Sequence, residues 1–576
     1  MNWAKKILNK IEKTPTIYLF TAIILLGFIV YGNSLFNNFV WDDEEQILNN
    51  GIIREITNIP YLFTSSTFNT GGAGLSGWYY KPLMPISFAL TNAVFGLMPF
   101  GFHFVSLTLH IINSILVFIF FKKIFDLKKY AYSKSTSFIL SLLFLTHPAN
   151  VESVAYASST QELLYVFFIL LSVIFTISYI SSSIKEKQKI LLINLFVFLS
   201  LLSKESGIIS IPVIIFLIFL FRKEKIKTFA VTLLLTLIAY LVFRFPIAKT
   251  PLFQHSLIIP IANASLFQRI ITIPYELASY LRLLVFPNDL FVAQHVVINN
   301  IKDPRFYVST IILAMLFSFT FFLFKKSHDK VTVFFIAWIL FSFLLILNIY
   351  PLDMTIAERW LYGPMIGILG LLGIAILEII KKNEKMKTYF SIASILIVLI
   401  FSIRVVLRNA DWNNNMSLFS HDINYSAESF DAQNNLGVAL FRNGDLKDAK
   451  NHFEKSIELS PFWWTPYNNL GVIYQREGKI EEAKKLYAKS IKEGNYYMAY
   501  ENLAQLKFAT ENPKNVISFV EKALLYLPNN ETLNRVAALS YFKNGATESA
   551  KIYAQKAYSI NKSQENYFLL QSLNAN

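Results

Sequence analysis

Eleven stretches of this chain are apolar over the length of a bilayer crossing or close to it, and lysines crowd into alternate gaps between them. In hydrocarbon a backbone must satisfy its own hydrogen bonds, so such a chain folds as a bundle of helices. The stretches are 15–36, 102–121, 137–150, 160–182, 189–203, 207–221, 228–246, 306–324, 331–350, 358–380 and 388–406. The basic gaps hold Lys5, Lys6, Lys10 and Lys13, then Lys122, Lys123, Lys128 and Lys129, then Lys185, Lys187 and Lys189. Arg222, Lys223, Lys225 and Lys227 follow, then Lys325, Lys326 and Lys330, and last Lys381, Lys382, Lys385 and Lys387. Placing every one of these gaps in the cytoplasm satisfies the positive-inside rule with one topology, N-terminus inside.

That topology explains the net charge of +15 without nucleic acid as a partner. With no cysteine, a disulfide framework and a thiolate zinc site are excluded. The basic N-terminus lacks a small-residue cleavage site, which predicts an uncleaved signal anchor. The amphipathic stretch 266–286 is expected as an interfacial or re-entrant segment, since 247–305 must begin and end outside. Tyr79-Tyr80-Lys81-Pro82-Leu83-Met84-Pro85 opens a proline-interrupted apolar run suited to a helix along the outer interface. The glycine cluster Gly71–Gly77 lacks the lysine and helix of a P-loop and reads as a lid or turn.

Phe39-Val40-Trp41-Asp42-Asp43-Glu44-Glu45 places four carboxylates where the first span emerges on the outer side. Charge against a hydrocarbon boundary is costly and marks a site; the plain alternative is a solvated helix end. Other ionisable residues meet the same face: Lys81, His103, His147, Glu152, Lys204, Glu205, Arg244, Arg269, Glu358 and Arg359. His103 reads first as a satisfied interfacial histidine, and Lys204-Glu205 also fits a local ion pair. Arg359 has the planar fork that matches phosphate oxygens.

From about residue 430 the period changes. Asn434-Asn435-Leu436-Gly437-Val438 returns as Asn468-Asn469-Leu470-Gly471-Val472, thirty-four positions on, with Ala449 repeated as Ala483. Turns at Asn443-Gly444 and Glu477-Gly478 fall between helices of each unit. This is the tetratricopeptide signature, clear over 430–493 and diverged over 494–576, for about four helix pairs. Stacked pairs make a concave surface for extended peptides, with Asn435, Asn469, Trp463 and Trp464 as candidate contacts; a dimerisation or scaffold role stays open. The expected fold is all-α: a polytopic membrane domain over 1–410 with a first outer loop at 37–101, a linker at 411–429, and the repeats over 430–576.

Asn37-Asn38-Phe39-Val40-Trp41-Asp42-Asp43 resembles the first-loop acidic motif of GT-C membrane glycosyltransferases. Tyr79–Leu83, Pro99–His103, His147-Pro148 with Glu152, Leu202–Gly207 and Ala357–Tyr362 follow in order, ahead of the repeats. Together they resemble the transmembrane and tetratricopeptide repeat-containing O-mannosyltransferases. Lys81 stands where arginine is usual, Asn150 where a second histidine is common, and the repeats are far fewer than in animal members.

The resemblance implies transfer of mannose or another hexose from a polyprenyl-phosphate donor to an acceptor hydroxyl, a protein Ser/Thr or a glycan, on the outer face. Asp42 is then the general base, with Asp43 orienting it or joining it on a divalent cation such as magnesium or manganese. A single displacement inverts the anomeric centre. Arg359 and Lys204, then Lys81, are the cations for the departing phosphate, with Glu358 beside them; His147, Glu152, Glu205 and His103 complete the site. Two other classes stand against this: a lipid-linked sugar transporter, and an inactive anchor for a tetratricopeptide scaffold. The compact loops suggest a prokaryotic cell membrane with the repeats outside the cytoplasm; in an endoplasmic-reticulum membrane they would face the lumen.

Overall fold

The computed structural model describes residues 2–67, 79–251, 258–292, 294–324 and 329–574. The Gly71–Gly77 cluster, expected as a lid or turn, lies outside them. Among the described residues every regular element is helical. The chain divides into two compact units, the first ending at Ala427 and the second beginning at Glu428.

Each of the eleven apolar stretches contains a helix, although the helix in 331–350 ends at Leu344. Six helices are long and apolar enough to cross a membrane unaided: Thr16–Phe36, Pro99–Asp126, Ala157–Ser181, Lys223–Ile247, Glu358–Lys382 and Met386–Asp411. Ser133–Thr146 with Pro148–Ala155, bent by 55°, is long and apolar enough together to form a broken span or a re-entrant loop. The break falls where it must: Pro148 donates no backbone hydrogen bond, and it holds His147 extended at ψ 123°. Glu186–Ser203, Glu205–Phe221, Pro304–Phe324 and Lys330–Leu344 occupy the remaining stretches. Residues Leu266–Val285 form one helix, opened by a capping box between Ser265 and Gln268. Its Arg269, Glu276 and Arg282 distinguish its composition from that of the apolar spans, although Tyr280 packs edge-on against Phe343 at 5.7 Å.

The ends of these helices sort by charge. Lys128 meets Asp329 at 2.8 Å, the Tyr130 hydroxyl donates to Glu378 at 2.8 Å, and Ser135 N–H donates to Glu12 at 2.9 Å. These contacts tie the lysine-bearing loops together at one end, away from Asp42. In the middle of the bundle, Gly363, Gly367 and Gly370 let the Tyr362–Lys382 helix press against Tyr165, Trp338 and Phe335. A Cβ at these glycines would lie 2.6 Å from the Tyr165 hydroxyl and 2.7 and 2.2 Å from the Trp338 and Phe335 rings, so a larger residue would push those side chains aside.

In the second unit, four helix pairs run from Phe430–Arg442 with Leu446–Leu459 to Glu531–Lys543 with Thr547–Ile560, and Gln564–Asn574 follows. Gly437 and Gly471, at the same place in successive repeats, admit the rings of Phe453 and Tyr487 from the partner helix. Between repeats runs a row of asparagines. Asn469 Nδ2 donates to Asn434 Oδ1 and Asn502 Nδ2 to Asn468 Oδ1, both at 2.9 Å.

One boundary differs from expectation. Most of 411–429, expected as a linker, belongs to the membrane unit. Trp412 is fully buried, and the Asn415–Asp422 helix packs there with Leu418 and Phe419 inside.

Candidate functional site

The acidic loop is held by the far end of the membrane unit. Asn38 N–H donates to Asn413 O at 2.8 Å, Asn37 Nδ2 to Asn409 O at 3.0 Å, and Trp41 N–H to Asn415 Oδ1 at 2.9 Å. Trp41 turns the chain with φ +55°, a left-handed conformation costly for a bulky residue and found where surrounding contacts enforce it. Those contacts are aromatic. The Trp41 ring stacks on Tyr156 at 5.2 Å, and Tyr156 stacks on Trp412 at 5.6 Å.

This turn separates the two aspartates. Asp43 is fully buried: one oxygen accepts from Ser158 N–H at 2.7 Å and Ser158 Oγ at 2.6 Å, the other from Val40 N–H at 3.2 Å. Burial pushes its carboxyl up to about 7 against the pull of those hydrogen bonds. Asp42 is half-buried and accepts one hydrogen bond, from the Tyr156 hydroxyl at 3.0 Å. Burial raises its carboxyl above the ordinary carboxylate range; Tyr156 and the charge of Arg359 pull it down, and Asp353 pushes it up. Asp43 is thus an anchor, and Asp42 is the carboxylate open to chemistry.

The cations are not equally available. Arg359 lies against Trp41, its guanidinium carbon 5.6 Å from the ring centroid, and is paired with the buried Glu152. Glu152 also accepts from Arg359 N–H at 2.8 Å. Lys204 is paired with the buried Glu162. Lys81 is only 8% exposed, sits over the Tyr79 ring at 4.1 Å, and has no carboxylate within salt-bridge distance among the described residues. Burial pushes its ammonium below the ordinary lysine range, with Glu205 pulling the other way. Of the three expected phosphate ligands, the one ranked last carries the uncommitted charge.

The remaining expected residues take structural places. Glu358 is fully buried and faces Arg408 at 3.8 Å, which removes it from any anion site. His147 accepts from Ala149 N–H at Nδ1, 3.2 Å, which leaves Nε2 to donate to Leu284 O at 3.0 Å. His103 is buried beside Phe39, and Glu205 pairs with Arg244 at 3.2 Å. In the second unit, Trp463 meets Phe430 edge-on at 5.0 Å, and Trp464 covers Gly494. Both indoles serve packing between helices, whereas Asn435 and Asn469 join the asparagine row.

Tyr156, Ser158, Trp412 and Asp353 are the residues that sequence reasoning passed over. The first three carry no charge, and Asp353 stands alone in a short apolar loop. That loop is fastened by Asn348 at φ +49°, whose amide donates to Glu276 Oε1 at 3.0 Å and Thr355 O at 2.9 Å. Burial pushes the Glu276 carboxyl up to about 8. Its folded value lies above the unfolded one of about 4.3, so stability falls as pH rises between the two. Glu276→Gln is expected to flatten that dependence: its melting temperature should pull ahead of wild type from pH 5 to 8 and level off above. Parallel melting curves across that range would contradict the buried, proton-bearing latch.

Residues 428–492 match the family model of the tetratricopeptide repeat. The protein O-mannosyl-transferase F38B6.6 of Caenorhabditis elegans is 26% identical over 434 residues, 73% of this chain and 59% of that protein. The human protein O-mannosyl-transferase TMTC3 is 25% identical over 458 residues, 73% of this chain and 49% of that protein. This chain resembles the protein O-mannosyl-transferases. It spans about half the length of these curated relatives. Among solved structures, MamA (residue 41 to the end) from Desulfovibrio magneticus RS-1 covers 25% of this chain and 84% of its own, at 16% identity and TM-score 0.23. The motifs that first suggested likeness to protein O-mannosyl-transferases contribute Asp42, Asp43, Lys81, Glu152 and Arg359 to one end of the membrane unit.

Proposed function

We propose that this chain is a membrane glycosyltransferase that moves a hexosyl group from a polyprenyl-phosphate donor to an acceptor hydroxyl on the non-cytoplasmic face. The observation that carries the reading is the half-buried Asp42, held by one hydrogen bond from Tyr156 and sharing its surroundings with Lys81 and Arg359. The likeness to protein O-mannosyl-transferases supports mannose and a protein Ser/Thr acceptor. The Asp42 carboxylate takes the acceptor's hydroxyl proton as the oxygen bonds to the anomeric carbon. The bond from that carbon to the lipid phosphate oxygen breaks with inversion, and the phosphate leaves with both electrons. Lys81 meets the charge that develops there, and the paired Arg359 adds to the positive field.

We read the two aspartates without a shared divalent cation. Both Asp43 oxygens already accept hydrogen bonds, and among the described residues no three Asp, Glu or His side chains gather as a ligand set. The repeats are read as the acceptor's docking surface.

The test offers polyprenyl-phosphate mannose, glucose and galactose in parallel to the full chain in nanodiscs, with a Ser/Thr peptide. Lipid phosphate released in step with glycopeptide of inverted configuration is the expected result. No release from any donor, in a preparation that binds them, would refute the transferase reading. Tyr156→Phe should keep turnover but move the acid limb of kcat/KM to higher pH. It deletes the hydrogen bond that holds the Asp42 carboxyl down, so the base loses its charge sooner on acidification. An unmoved limb would mean that Asp42 does not set it.

A further inference from the structure

Every charged carboxylate around Asp42 is committed except one. Asp43 is taken by Ser158 and Val40, Glu152 by Arg359, Glu162 by Lys204, and Glu205 by Arg244. Asp353 is half-buried, and its carboxylate has no hydrogen-bond or ion-pair partner among the described residues. Its charge nonetheless reaches Asp42, Tyr79, Lys81 and Arg359.

A carboxylate left without partners among four such groups invites an explanation, because the loop that carries it is built with care. Asn348 Oδ1 accepts from Leu352 N–H at 3.0 Å, and its amide holds Glu276 and Thr355. Thr355 N–H donates to Gln294 O at 3.0 Å and Thr355 Oγ1 to Val296 O at 2.9 Å, and Gln294 bridges Ile356. Asp353 is therefore fixed in place from both sides. A carboxylate placed in this way, with both oxygens open, is an acceptor for the hydroxyls of a sugar.

We propose that Asp353 recognises the donor's sugar, accepting hydrogen bonds from its hydroxyls while Lys81 holds the phosphate; this rests on the reading of the site as one for a lipid-linked hexose. It makes Asp353 a specificity residue and leaves the proton transfer to Asp42. Hydrogen bonds to a charged group set the expected size of the effect at about ten- to a hundredfold in affinity.

The experiment measures equilibrium binding to the full chain in nanodiscs, without turnover. The probes are bare polyprenyl phosphate and the same lipid phosphate carrying mannose, glucose or galactose. Wild type should prefer at least one sugar-bearing lipid over the bare one by that factor. Asp353→Ala should lose the preference yet bind the bare lipid as wild type does, which also certifies its fold. Asp353→Asn, with one acceptor left, should fall between, and Lys81→Met should weaken every probe alike. Asp353→Ala retaining the full preference would overturn the proposal, as would wild type preferring no sugar. A parallel loss of bare-lipid affinity in Asp353→Ala would also overturn it, pointing to a cation bridging Asp353 and phosphate. Because no catalysis is required, wild type that binds selectively but never transfers would sink the transferase reading alone.

Discussion

Asp42→Asn is expected to lower turnover by roughly a hundred- to ten-thousand-fold, the span covered by a positioned general base. The substitution is nearly isosteric, and the new Oδ1 still accepts from Tyr156, so the Trp41–Tyr156–Trp412 stack has no reason to move. Donor affinity and melting temperature should therefore stay near wild type. Asp43→Asn provides the contrast. Its amide would set N–H groups against the N–H and hydroxyl of Ser158 or the N–H of Val40, so it should lose stability along with activity. Initial rates of lipid-phosphate release, set beside melting curves, separate the two. Equal turnover by wild type and Asp42→Asn would mean that the proton leaves by another route.

Glu152→Ala carries the largest expected cost to the fold. It removes the carboxylate that pairs with the Arg359 guanidinium and leaves Arg359 N–H without an acceptor. Both side chains are buried, and an uncompensated charge in such a place costs about 3–5 kcal/mol. The folded yield should drop sharply, with the surviving protein melting well below wild type. Glu152→Met combined with Arg359→Met should recover much of that stability, because the pair is costly to break and cheap to replace. The double variant should not recover activity, since Arg359 also presses on Trp41 and lends its charge to Asp42. A Glu152→Ala protein as stable as wild type would show that Arg359 is solvated.

What the amino-acid sequence discloses follows the range of the forces involved. The spans are legible because hydrocarbon thickness sets a length, and the repeats because helix pairs of one size recur, as Asn434 recurs at Asn468. Individual site residues are legible as charges stranded at helix ends, hence Asp42, Glu152 and Arg359. Their partners are not: Glu152 and Arg359 are 207 residues apart, and nothing local to Lys204 points to Glu162. Lys204-Glu205 reads as a neighbouring pair, yet each side chain pairs elsewhere. The misread linker has a related cause. Asp411-Trp412-Asn413-Asn414-Asn415 has the composition of a spacer, but its polar atoms serve a loop at the opposite end of the chain.

That attachment sets the order in which the molecule is made. Asn37 waits for Asn409, 372 residues later, and Trp41 for Asn415, 374 residues later. At ordinary elongation speeds of about 5–20 residues per second, the interval is roughly 20–75 s. Through all of it the ribosome is still attached, the early helices are already inserted, and the acidic loop, although Tyr156 and Ser158 reach it earlier, lacks its asparagine anchors. Completion of the loop's setting therefore arrives late, with the last membrane helix: a nascent chain stalled before it would sit in the bilayer with its acidic loop only half held.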